Sequence, residues 1–174
     1  MRWPLVAMLL GLALPVLGAD PQGGGEARRY SGTFRYVGGK TEEARIRQAI
    51  DAATKGMIGG DTAKTELMKR SEVRPTYTLS FEGGKATVSS PGFPPETSPL
   101  DGSPVEMTNK YGDKLKMRQR FMDGALVQES EAKDGTGSTR FQLEANGKTL
   151  RVRRISKSPK LPRPVEYTLS YVKR

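Results

Sequence analysis

The sequence predicts a mainly β protein, an up-and-down antiparallel barrel of about nine strands with a helix-turn-helix insert after the first strand. Turn dipeptides Gly112-Asp113, Asp123-Gly124, Asp134-Gly135 and Asn146-Gly147 recur every 11 or 12 residues between runs of strand-forming residues. Within those runs apolar and polar residues alternate with period two, and between residues 41 and 70 the apolar period lengthens to that of a helix. Many short strands with one apolar face close on themselves to remove exposed edges, so a barrel is expected, with an open curved sheet over the helices as its rival.

Residues 20–29 lack apolar periodicity and read as a flexible leader, so the fold is expected to begin at Tyr30. Tyr30 to Val37 suits a first strand stopped by Gly38-Gly39. Ile46, Ala49, Ile50, Ala53 and Met57 then recur at helical spacing, with Thr41 as cap and Glu42 and Glu43 at the positive helix end. Gly59-Gly60 closes that helix, and Asp61 caps a second whose inner face is Ala63, Leu67 and Met68. Tyr77, Leu79 and Phe81 share one face of a hairpin that turns at Gly83-Gly84 and runs through Val88. Prolines 91, 94, 95, 99 and 104 deny ladder hydrogen bonds, which makes 91–104 a long loop. Strand runs follow at 105–111, 115–122, 125–132, 138–145 and 150–156, and a last strand, 165–172, carries Val165, Tyr167, Leu169 and Tyr171 on one face.

Residues 1–19 read as a cleavable secretory signal: Arg2 supplies the charge, Leu5 to Leu17 the short apolar run, and Gly18 and Ala19 the small residues before the cut. The run is shorter than a membrane span and is interrupted by Pro15. Asp20, not cysteine, follows, so no lipid anchor is expected and the product should be soluble, in the periplasm or outside the cell. What remains is one domain, 30–174, with the helical insert at 41–70. An exported chain with no cysteine must gain its stability from burial and backbone pairing. With no histidine either, it lacks a thiol nucleophile, an imidazole base and the commonest transition-metal ligands, so no catalytic residue, metal or cofactor is expected. Of the 29 Lys and Arg, only Arg2 lies in the signal, leaving 28 against 19 Asp and Glu, a net charge of +9 that favours anionic ligands or surroundings.

One strand, a helix pair and a run of hairpins ending in a tyrosine-bearing strand resemble the calycin architecture, in particular the intracellular fatty-acid-binding proteins. The resemblance is one of element order over Tyr30 to Arg174, closest in character from Asp123 onward, through Phe141 to Val152 and Tyr167 to Arg174. It implies a barrel enclosing a small apolar molecule, with the helix pair at the mouth. Export is shared with the lipocalin branch of the same superfamily. Two motifs of the superfamily are missing. The Arg-x-Tyr carboxylate clamp would need arginine where Val165 and Leu169 stand, and Gly32-Thr33-Phe34 has Phe where lipocalins keep Trp.

Alternation over 150–156 places Leu150, Val152 and Arg154 on one face, so Arg154 is expected to point inward and, near Tyr167 or Tyr171, to hold an acidic headgroup by charge-assisted hydrogen bonds. A frayed strand end with a solvated Arg154 is the alternative. Gln119 is the polar exception on the apolar face of Leu115, Met117 and Phe121, either a ligand contact or a buried amide satisfied by neighbours. Tyr77 is likewise a ligand contact or plain core. The outward residues Lys116, Arg118, Arg120, Arg151 and Arg153 could form a contiguous basic surface for an anionic partner if their strands lie on the same side of the barrel. Nucleic acid is disfavoured there because no exposed aromatics interleave. Gly39-Lys40-Thr41 fails as a phosphate loop because Phe34 occupies the first glycine position, and Glu129 and Glu131 are ordinary strand charges. The expectation is a non-enzymatic carrier of a small apolar or amphipathic ligand. Its rival is a filled barrel whose basic exterior binds an anionic envelope component or a protein.

Overall fold

The computed structural model describes residues 24–174; the expected signal 1–19 and the start of the leader lie outside the described residues. Ten antiparallel strands form one sheet: β1 (Gly32–Tyr36), β2 (Thr76–Glu82), β3 (Lys85–Ser89), β4 (Glu96–Pro99), β5 (Val105–Thr108), β6 (Lys114–Met122), β7 (Ala125–Ala132), β8 (Gly135–Leu143), β9 (Thr149–Lys157) and β10 (Val165–Lys173). Their order, β4-β3-β2-β1-β10-β9-β8-β7-β6-β5, joins chain neighbours throughout except where β1 meets β10. The sheet curls until its first strand meets its last hairpin. Gln119 Nε2 on β6 donates to the Glu96 carbonyl on β4, and Asp101 bridges to Arg120, which makes a near-closed barrel.

The turns are legible in backbone angles. Asp123 and Gly124 both have positive φ, 50° and 66°, the conformation whose twist matches a tight hairpin, so β6 passes to β7 in register with Met122 opposite Ala125. Gly135 opens β8 where the carbonyl of Lys157 passes close: a Cβ there would sit 2.1 Å from that oxygen. β5 stops at Thr108, short of the expected 111, because the Asn109 side chain takes over, its Oδ1 accepting from the amides of Tyr111 and Asp113.

Three expectations are corrected. Among the described residues the strands number ten where about nine were expected, because the proline-rich segment, expected to be a loop, contains β4, a short strand at one end of the sheet where missing amides cost little. Residues 24–30 are not a flexible leader but helix α1 (Gly24–Tyr30), and Tyr30 ends that helix instead of opening β1. The Tyr30 hydroxyl donates to the Gly124 carbonyl at 2.7 Å and accepts from the Leu143 amide at 2.8 Å, and its ring meets Phe121 edge-on at 5.4 Å. A buried tyrosine satisfied at both ends of its hydroxyl is reason enough for the preceding turns to order.

Helices α2 (Gly39–Thr54) and α3 (Gly60–Arg70) follow β1 as expected, although both begin earlier than Thr41 and Asp61, and neither N-cap makes a side-chain hydrogen bond. α2 buries Ile46, Ile50 and Ala53 and is pinned to β10 through Glu42, whose carboxylate accepts from the amide and hydroxyl of Ser170 at 2.8 and 2.6 Å. α3 buries no residue fully and rests Leu67 and Met68 against the core. The core gathers Phe34, Leu79, Leu126, Phe141, Leu150, Val152, Leu169 and Tyr171. Strand alternation puts the β6–β7 and β8–β9 turns at the end sealed by α1, and the β5–β6, β7–β8 and β9–β10 turns at the end covered by α3.

Candidate functional site

The face that carries Leu150 and Val152 on β9 points into the barrel, and the same alternation delivers Arg154 to the interior. Arg154 stands opposite Tyr167 on β10 and Thr139 on β8, with its guanidinium carbon 5.9 Å from the Tyr167 ring. It lines a cavity of about 1000 Å³ together with Arg74, Tyr77, Glu96, Gln128 and Phe141. The mouth of the cavity is framed by Met57, Ile58 and Leu67 of the helix pair and by the turns around Tyr111, Asp134 and Leu161. The interior is therefore not filled by side chains.

The polar groups of this cavity divide into a paired set and a free one. Arg74 Nη2 meets Glu96 Oε1 at 2.6 Å, and the Gln128 amide donates to Glu96 Oε2 at 2.8 Å, with the Arg74 and Glu96 side chains only 10% and 13% exposed. Arg74 also stacks on Phe93 at 4.2 Å and leaves Nε and Nη1 without a partner. Burial opposes its charge, yet Tyr77 and Glu96 more than offset this, so Arg74 is held above the ordinary guanidinium value. Arg154 makes no ion pair among the described residues, and Tyr167 first, with Tyr77 and Glu96 behind it, holds it above its ordinary value despite burial. It is a permanent cation facing a cavity. Burial pushes the Tyr77 and Tyr171 phenols up, so both stay neutral donors.

Of the five residues singled out from sequence, Arg154 and Tyr77 line the cavity, and three stand behind its wall. Tyr167 lies beside Arg154, at 7% exposure. Tyr171 is fully buried, packs on Tyr77 at 5.0 Å and donates its hydroxyl to the Arg74 carbonyl. Gln119 fits the second of its two expected readings, a buried amide held by neighbours: β4 crosses in front of it, and its amide nitrogen donates to Glu96 O at 3.3 Å and Gln128 Oε1 at 3.4 Å, while its Oε1 has no partner among the described residues. Sequence reasoning missed Arg74, Glu96 and Gln128. Gln128 faces Gln119 across β6 and β7, so the polar exception there was half of a pair; Arg74 and Glu96 sit outside any periodic run and gave no signal.

Four of the five outward basic residues expected to form one face are paired with carboxylates. β7 and β8 separate the set on β6 from the set on β9. Arg118 and Arg120 both reach Glu129, Arg151 pairs with Glu144, and Arg153 pairs with Glu166 at 2.6 Å. Among the described residues no helix is long and apolar enough to cross a membrane.

No family model and no curated protein sequence matches the chain. Solved structures do. Lipid binding protein 8 from Caenorhabditis elegans superposes with a TM-score of 0.58 at 12% identity, covering 84% of this chain and 96% of that one. An abundant heat soluble (SAHS) protein from Ramazzottius varieornatus gives 0.56 at 12% identity over 84% and 96%. The Schistosoma mansoni fatty acid binding protein in complex with arachidonic acid gives 0.55 at 12% identity over 86% and 98%. The chain has the near-closed antiparallel barrel of the calycin, fatty-acid-binding-protein-like fold.

Proposed function

We propose that this protein is an exported, non-enzymatic carrier that encloses one amphipathic anion, with its apolar tail in the barrel and its head on Arg154. The observation that carries the reading is an open interior of about 1000 Å³ whose wall presents a guanidinium with no partner of its own. That volume is at the upper end of small-molecule sites, and an unpaired cation in its wall favours an anionic head. Tyr77, a neutral phenol in the same cavity wall, would be the second donor to that head. The structural neighbours that bind lipids or fatty acids support an apolar ligand, and the signal-like residues 1–19 support export.

The direct test is native mass spectrometry of the protein purified from its own host, with displacement of an apolar fluorescent probe by single-chain amphiphiles. The expected result is a co-purifying small anion and stoichiometric displacement. Repeated absence of any adduct, together with no probe uptake, overturns the reading.

A further inference from the structure

The interior of this barrel holds three charges, and their arithmetic is a specificity device. Arg74 and Arg154 are cations and Glu96 is an anion. Glu96 is committed, held at 2.6 Å by Arg74 and at 2.8 Å by Gln128, and its own carbonyl is fixed by Gln119 across the barrel seam. The rim charges mostly cancel in water: Arg70 with Asp113, Lys110 with Glu72, and Lys160 with Asp134, while Lys114, Lys133 and Lys157 stand exposed, where salt screens them. We propose that Glu96 is a specificity-determining residue, a built-in counter-ion that neutralises Arg74, leaves Arg154 as the uncompensated charge of the interior, and so selects a ligand head carrying one negative charge.

The physical reason operates in both directions. A neutral head leaves the Arg154 guanidinium desolvated and unpaired, which costs more than an exposed cation would. A doubly charged head needs a second cation: the two unpartnered nitrogens of Arg74 are buried away from solvent and its charge is met by Glu96, so Arg74 serves a ligand by releasing Glu96, and a carboxylate at 13% exposure without its partner is an uncompensated buried charge. Discrimination therefore comes from repulsion and lost pairing as much as from attraction. The inference rests on the carrier reading above, and the experiment separates the two.

Three ligands with one hexadecyl chain are compared by displacement of an apolar fluorescent probe: hexadecan-1-ol, hexadecanoate, and hexadecyl phosphate, which is dianionic at about pH 8. In the wild-type protein hexadecanoate should bind at least about tenfold more tightly than either of the others. Glu96→Gln frees Arg74 and should raise hexadecyl phosphate at least about tenfold relative to hexadecanoate. Arg74→Met leaves Glu96 opposing Arg154 and should move the preference toward the alcohol, so it carries the test if Glu96→Gln does not fold. A wild-type protein that binds the phosphate as tightly as the carboxylate overturns the inference, as do folded variants that keep the wild-type ratios. If none of the three ligands displaces the probe from the wild type, the carrier reading itself falls.

Discussion

Arg154 departs from what arginine normally does in a folded protein, where its guanidinium is solvated or paired. Here it lies on an inward strand face with Tyr167 beside it and, among the described residues, no carboxylate within ion-pair distance. Half-buried and facing the cavity, it holds no ion pair whose loss would cost the empty protein stability, and an apolar side chain there packs at no loss. Arg154→Met should therefore leave the melting temperature of the unliganded protein unchanged or raised. The same substitution removes charge-assisted hydrogen bonds worth about 1.5–3 kcal/mol and should weaken binding of an anionic amphiphile by about ten- to a hundredfold or more. Calorimetry on both proteins, with and without hexadecanoate, reads both numbers. A large drop in unliganded stability with unchanged affinity would make Arg154 a structural residue.

At the scale of elements, α3 is the part most able to move, because it buries no residue fully and covers the cavity. Its end is held by polar contacts to the β5–β6 turn: Arg70 to Asp113 at 2.5 Å, the Tyr111 hydroxyl to the Lys69 carbonyl at 2.7 Å, and Lys110 to Glu72 just beyond the helix. Asp113→Ala removes a contact that is half in water, so it should cost little stability but speed ligand exchange several-fold, as measured by stopped-flow probe release. The sign of the pH effect follows from Asp113. The Arg70 hydrogen bond, aided by Asn109, holds its pKa below the ordinary carboxylate value. A depressed pKa means the contact is present above the unfolded value of about 3.9 and is lost only as pH falls through the lower folded one. Release from the wild type should thus be flat from about pH 8 to 5 and accelerate below about 4, while the Asp113→Ala protein should lack that acceleration.

The same scale explains what the sequence could show. β6 to β9 were readable because hairpins joined by Asp-Gly and Asn-Gly turns keep strict alternation, which placed Arg154 on an inward face, and the same period of two in β2 placed Tyr77 there. Arg74 and Glu96 were not readable, since one precedes β2 in a loop and the other opens a four-residue strand among prolines. Their pairing exists only because the sheet closes and brings β4 over β6. Contacts created by closure leave no local period in the chain.

For the molecule as a whole, one end is built for stability and the other for access. At the first, Tyr30 ties α1 to residues 94 and 113 positions away in the chain, and Phe121 stacks with Phe81 at 5.7 Å beneath it. At the second lie the cavity mouth, α3 and exposed Ile58. Binding at the open end should be felt globally, since a ligand that binds only the folded state adds RT ln(1 + [L]/Kd), about 2.7 kcal/mol at a hundredfold excess over Kd. In a chain of this size that stabilisation corresponds to a rise of roughly 5–10 °C in the melting temperature. Tyr30→Phe removes two hydrogen bonds at the sealed end and should lower the unliganded melting temperature, but it touches nothing at the mouth. The ligand-induced rise should then be the same in Tyr30→Phe as in wild type, while Arg154→Met should lose most of it. Equal loss of the rise in both variants would show that the two ends are coupled, not independent.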